Sequence, residues 1–160
     1  MKIVKATRKN IKEIAEILFE EFKKPPFNEK VSFNAVLKSL DFYFKIGNVY
    51  TAINESEIAG VVIFKIEQYW EGQVIIIEDL AVKEIFKNYN VNKILINKVE
   101  SYAKNKHIRS IYFSTNKKSS ALKIYKKQGY KLEKKYNIYE KENRVIFSKQ
   151  KPWQLLKEII

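Results

Sequence analysis

The chain contains no cysteine and a single histidine, His107. Disulfides, thiolate metal sites and a cysteine nucleophile are excluded together by the first absence. The second leaves no basis for a histidine-built metal cage or a Ser–His triad, so no metal is expected. Arginine is scarce too, with Arg8, Arg109 and Arg144 the only ones among 31 basic residues. Proteins that read nucleic acid lean on arginine for base edges and phosphate forks, so nucleic acid is not the expected partner. No apolar run approaches the roughly 20 residues of a membrane span, and the start MKIVKATRKN turns polar too early for a signal peptide. A cytoplasmic protein without a membrane partner is the expectation.

What the chain does have is charge of one sign. The 31 basic residues face only 18 acids, giving +13 over 160 residues. That length favours one compact domain, residues 1–160, able to bury a core without cross-links. A lysine-rich solvated surface accounts for much of the excess, but the excess is uneven. Between Thr115 and Lys135 eight lysines meet one acid, Glu133, whereas residues 1–30 hold Glu13, Glu16, Glu20, Glu21 and Glu29. Such a division suits an anionic cofactor in one half and a cationic substrate near the other.

Periodicity predicts a strand over Lys2–Thr7, then a helix capped by Asn10 with Ile11, Ile14, Ala15, Leu18, Phe19 and Phe22 on its apolar face and Pro25-Pro26 as its end. A second helix is predicted over Phe33–Ile46, stopped by Gly47. Strands follow at Val49–Ile53, Ile58–Glu67 and Gln73–Val82, then a helix over Val91–Lys106 and a strand at Ser110–Ser114. A short helix around Tyr125, strands near Tyr130–Tyr139 and Arg144–Ser148, and an apolar tail opened by Pro152 complete the order. This is a mixed α/β sheet, not a doubly wound one.

Two segments carry chemistry. In the first, the strand end Ile77-Glu78-Asp79-Leu80-Ala81-Val82 runs into Lys87-Asn88-Tyr89-Asn90-Val91-Asn92-Lys93 and then a helix. A strand delivering the chain onto a helix N-terminus makes an anion seat of backbone N–H groups and helix dipole. In the second, Ala121-Leu122-Lys123-Ile124-Tyr125-Lys126-Lys127-Gln128-Gly129-Tyr130 reads as a helix carrying a tyrosine and stopped by glycine. Taken by themselves, these residues also fit a capped helix after a polar loop, an acidic strand end facing water at Glu78 and Asp79, and a core tyrosine.

Together the two segments resemble the GCN5-related N-acetyltransferase (GNAT) superfamily, and the element order extends the resemblance over nearly the whole chain. It implies a mostly antiparallel mixed sheet flanked by helices, with strands 4 and 5 splayed and the pantetheine arm of acetyl-CoA lying between them. The backbone of Leu80, Ala81 and Val82 would pair with that arm. The pyrophosphate would rest on the turn Lys87, Asn88, Tyr89, Asn90, Val91, Asn92 and Lys93, and Asn116 would touch the cofactor. The family's basic position falls at Lys87, while asparagines stand at 88, 90 and 92 where glycines are usual. Asn tolerates the left-handed backbone but fills space that glycine leaves open, so weaker CoA binding than a glycine turn gives is expected.

The resemblance makes Glu78 the group that prepares the amine, Asp79 a substrate-binding residue, and Tyr125 the donor of a proton to the departing thiolate. A primary amine is neutral only about once in a thousand molecules at pH 7, so a base is needed. Tyr69-Trp70-Glu71-Gly72 followed by Ile77-Glu78-Asp79-Leu80, with the stretch Glu21–Val31, further resembles the spermidine/spermine (diamine) and thialysine acetyltransferase branch. That likeness implies a small polyamine or diamine acceptor. A peptide N-terminus or protein lysine fits the superfamily as well, and a non-catalytic module binding nucleic acid or protein is the competing class. The tail 152–160 is expected to pack on its own domain or on the second subunit of a homodimer.

Overall fold

The computed structural model describes residues 1–132 and 144–150. They form two compact units, Met1–Lys65 with Glu78–Val99, and Ile66–Ile77 with the described residues from Glu100 onward. The expected strand over Tyr130–Tyr139 lies mostly outside the described residues, and the tail 152–160 lies wholly outside them.

The first unit holds β1 (Lys2–Lys5), α1 (Ile11–Phe22), α2 (Phe33–Ile46), β2 (Asn48–Asn54), most of β3 (Glu57–Tyr69), the end of β4 (Gly72–Val82) and the start of α3 (Val91–Asn105). Its strand order is β1-β2-β3-β4. β1 lies antiparallel to β2 from Lys2↔Ile53 to Lys5↔Tyr50, and β2 antiparallel to β3 from Asn48↔Phe64 to Asn54↔Glu57. Ile14, Ala15, Ile17 and Leu18 of α1 and Leu40 of α2 close over Val49, Ile58, Val61 and Ile63 of the sheet. This is the apolar spacing read from the sequence, with Ile17 added. α2 begins where Ser32 Oγ accepts from the Ala35 N–H at 3.1 Å and ends at Gly47. Asn10 does stand at the α1 N-cap, but its side-chain oxygen turns back to the N–H of Thr7 at 3.1 Å instead of capping forward.

The second unit contains the outer arms of the β3–β4 hairpin, the end of α3, β5 (Ser110–Asn116), α4 (Leu122–Lys127), β6 (Lys131–Leu132) and β7 (Arg144–Gln150). β5 runs parallel to β4 from Val74↔Ser110 to Ile77↔Phe113, and antiparallel to β7 from Ser110↔Gln150 to Asn116↔Arg144. A mostly antiparallel sheet with β4 and β5 parallel is the mixed architecture the resemblance implies. The β4–β5 pairing reaches Ile77 and Phe113, the last residues before Glu78 and Ser114.

Gly60 on β3 sits where the first unit is tightest. A Cβ there would lie 2.8 Å from the Ala81 carbonyl oxygen and 3.1 Å from both Val82 Cγ2 and Val91 Cγ1. Beside it, Ala59 O accepts from the Lys83 N–H at 2.9 Å. The end of β4 and the first residue of α3 can approach β3 only because this position has no side chain. Gly60→Ala is expected to cost about 1–3 kcal/mol in urea unfolding, as overpacking does. A change below about 0.5 kcal/mol would mean that β4 yields freely.

Candidate active site

Glu78 lies on β4 with its side chain 22% exposed, and both carboxylate oxygens have partners. Tyr43, one turn beyond buried Leu40 on α2, donates its O–H to Glu78 Oε2 at 3.1 Å. The Lys65 ammonium, on β3, stands 3.0 Å from Oε1. Burial, then the charge and hydrogen bond of Glu78, then the charge of Asp79, push the Tyr43 phenol up to about 12 against the opposing Lys65. The phenol therefore keeps its proton at neutral pH and stays a donor. Sequence reasoning missed both partners. Tyr43 looks like any aromatic on the inner face of an amphipathic helix. Lys65 did carry a signal, since it abruptly ends the buried run Ile58–Phe64.

Beyond Glu78, Ala81 and Val82 are buried and Leu80 is partly so. The predicted turn is more ordered than a loop: Glu84–Tyr89 form a 3-10 helix, and Asn90 then adopts the left-handed conformation with φ 56° and ψ 26°. Asn thus takes up the backbone shape for which glycine is usual. α3 starts at once, with Ile94 N–H donating to Asn90 O at 3.1 Å. The N–H groups of Val91, Asn92 and Lys93 have no carbonyl one turn back within the helix, the geometry that favours an anion. Asn88, Tyr89 and Asn90 are exposed, Asn92 is half-buried, Lys93 is exposed and Val91 is fully buried. The Tyr89 ring packs edge-on to Phe86 at 5.9 Å.

Lys87 is not an isolated cation. Its ammonium lies 2.6 Å from Glu84 Oε2 and 2.9 Å from Glu21 Oε2, and Lys24 pairs with the same two residues at 3.3 and 2.8 Å. Partial burial pulls the Lys87 ammonium down, but the hydrogen bonds and charges of Glu84 and Glu21 together leave it raised. The network ties the end of α1 to the turn, and Glu21 carries it with a side chain only 13% exposed.

In the second unit Tyr125 stands on α4, 7% exposed, with its ring 4.5 Å from that of Phe113 and 6.4 Å from that of Tyr130. Burial pushes its phenol up to about 12. Gly129, at φ 86°, turns the chain so that the Tyr130 N–H closes on Tyr125 O at 3.1 Å. Asn116 ends β5; its side-chain oxygen accepts from the Lys118 N–H at 2.9 Å and its carbonyl from the Ser119 N–H at 3.0 Å. It shapes the turn toward α4. His107 is exposed in the turn after α3. Among the described residues no group of three or more His, Asp or Glu is placed to hold a metal, and no helix is long and apolar enough to cross a membrane.

The first unit thus holds a carboxylate on β4 followed by a helix N-terminus, and the second a buried tyrosine before a glycine stop. Residues 11–130 match the Acetyltransferase (GNAT) family. The chain belongs to that family and is an acetyl-CoA-dependent acetyltransferase. Among solved structures it is similar to a GNAT-family acetyltransferase of Staphylococcus aureus, at 21% identity over 93% of this chain and 98% of that one, with a TM-score of 0.76. It is similar to the PaiA N-acetyltransferase of Thermoplasma acidophilum, solved in complex with coenzyme A, at 17% identity over 94% and 98% and a TM-score of 0.75. A third is a GNAT acetyltransferase of Elizabethkingia anophelis with acetyl-CoA bound, at 20% identity over 94% and 97% and a TM-score of 0.67. At these identities the likeness is one of fold. No curated protein matches the sequence.

Proposed function

We propose that the protein transfers the acetyl group of acetyl-CoA to a primary amine by direct attack, without a covalent enzyme intermediate. The observation that carries this reading is Glu78, a carboxylate on the fourth strand held at one oxygen by Tyr43 and at the other by Lys65. In this reading Glu78 prepares the amine and Asp79 adds negative charge for an acceptor cation. The attacking nitrogen forms a bond to the acetyl carbon, the carbon–sulfur bond breaks, and Tyr125 supplies a proton to the sulfur. Leu80–Val82 and the turn Lys87–Lys93 form the donor seat of the first unit. The left-handed Asn90 and the free N–H groups opening α3 fit a pyrophosphate. A small diamine or polyamine is the first acceptor class, on the likeness of residues 69–80; a peptide N-terminus or protein lysine is the second.

Calorimetric titration with acetyl-CoA, with 3′-dephospho-CoA for comparison, tests the donor half. Saturable binding in the micromolar range is expected. An absence of heat at millimolar ligand would remove the activity from this chain and leave a scaffold of the same fold.

A further inference from the structure

A carboxylate that receives an acceptor amine must offer the incoming ammonium an oxygen. On Glu78 one oxygen is committed to the Tyr43 phenol at 3.1 Å. The other faces the Lys65 ammonium at 3.0 Å. A lysine ammonium on a methylene chain is chemically the same group as a primary-amine substrate in its resting form. The ion pair is also accessible to exchange, since the Lys65 side chain is 32% exposed and that of Glu78 22%. Tyr43 differs, being anchored on a helix whose inner face is packed through Leu40, and it can hold Oε2 while Oε1 changes partner.

We propose that Lys65 is the resident counter-ion of the acceptor site: it holds on Glu78 Oε1 the place an acceptor ammonium takes, and exchange of one ammonium for the other sets acceptor affinity. The inference rests on the role given to Glu78 above. It makes Lys65 a specificity-determining residue, because every cationic acceptor must displace it and tolerate its charge nearby. It also means that the site selects among amines by how well they outcompete a tethered lysine, which penalises a weakly bound monoamine most.

The test is calorimetric binding of spermidine and of propylamine to the CoA-loaded protein, with acetyl transfer followed in parallel. Lys65→Met is expected to tighten spermidine binding about ten-fold, the size of one partly screened charge pair. Lys65→Arg should bind it no tighter than the parent. The gain should vanish in the double variant Lys65→Met/Glu78→Gln, and removal of a remote charge by Lys9→Met should not reproduce it. Unchanged or weaker binding in Lys65→Met, or a gain that survives Glu78→Gln, overturns the proposal. A parent protein that acetylates no amine would sink the transfer reading, while the binding comparison would still decide the place of Lys65. Circular dichroism of each variant guards against misfolding, and Lys65→Gln serves as the second neutral variant should Lys65→Met fail to fold.

Discussion

Glu78→Gln is expected to lower kcat/KM for the acceptor amine about 100-fold at pH 7, with the deficit widening as pH falls. General-base assistance is commonly worth about 10²–10⁴-fold, and the lower end suits a carboxylate already shared with a lysine. The pH signature follows from the acceptor. An amine titrating near 10.4 loses its neutral fraction about ten-fold with each unit of pH below that value. A variant without the carboxylate must wait for amine that is already neutral, so its rate follows that decline. The parent can bind the ammonium form on Glu78 and remove the proton there, so its rate falls less steeply. Glutamine keeps the size of the side chain and can still accept from the Tyr43 O–H at Oε1, so packing is preserved. The check is a kcat/KM profile of both proteins from pH 6 to 9 with one acceptor. A loss of constant size across that range would assign Glu78 to packing instead of proton removal.

Most of the fold was legible because the helices obey a simple rule. Ile11, Ile14, Ala15 and Leu18 repeat at helical spacing, and those positions make the α1 contact with the sheet. The expected bounds Phe33–Ile46 match the observed helix, with Gly47 closing one end as read and the Ser32 cap at the other seen only in the fold. The carboxylate strand end and the helix-opening turn were legible too, because strand, turn and helix follow one another without a gap. What the sequence did not reveal is long-range. Tyr43 meets Glu78 across 35 positions and Lys87 meets Glu21 across 66, and both contacts depend on how helices are laid on the sheet. The resemblance assigns Lys87 to the pyrophosphate turn and no local pattern singles out Tyr43; only the fold shows their carboxylate partners. The six-residue turn was under-read for a related reason. Glu84–Tyr89 span only six residues, and a 3-10 helix that short leaves a weak periodic signal even though Phe86 is buried.

Tyr125→Phe is expected to lower kcat by about 10–100-fold while leaving acetyl-CoA affinity within about two-fold. The ring sits edge-on to Phe113 at 4.5 Å and is 7% exposed, so phenylalanine retains the packing and removes the hydroxyl alone. The size of the effect is bounded by acidity. Burial holds the phenol at about 12, whereas a free thiol titrates near 8.5, so full transfer to a water-solvated thiolate is uphill by roughly 5 kcal/mol. A thiolate formed in a dry site is more basic than one in water, which closes part of that gap, and a hydrogen bond made as the sulfur leaves needs no full transfer. The same pKa gives an independent signature in stability. The phenol is raised above its unfolded value near 10, so its contribution is complete below pH 10 and is lost as pH climbs toward about 12. Tyr125→Phe should blunt that alkaline loss because phenylalanine has no proton to give up. Turnover equal to the parent's, with the alkaline stability limb nonetheless blunted, would make Tyr125 a core residue and leave the thiolate to solvent.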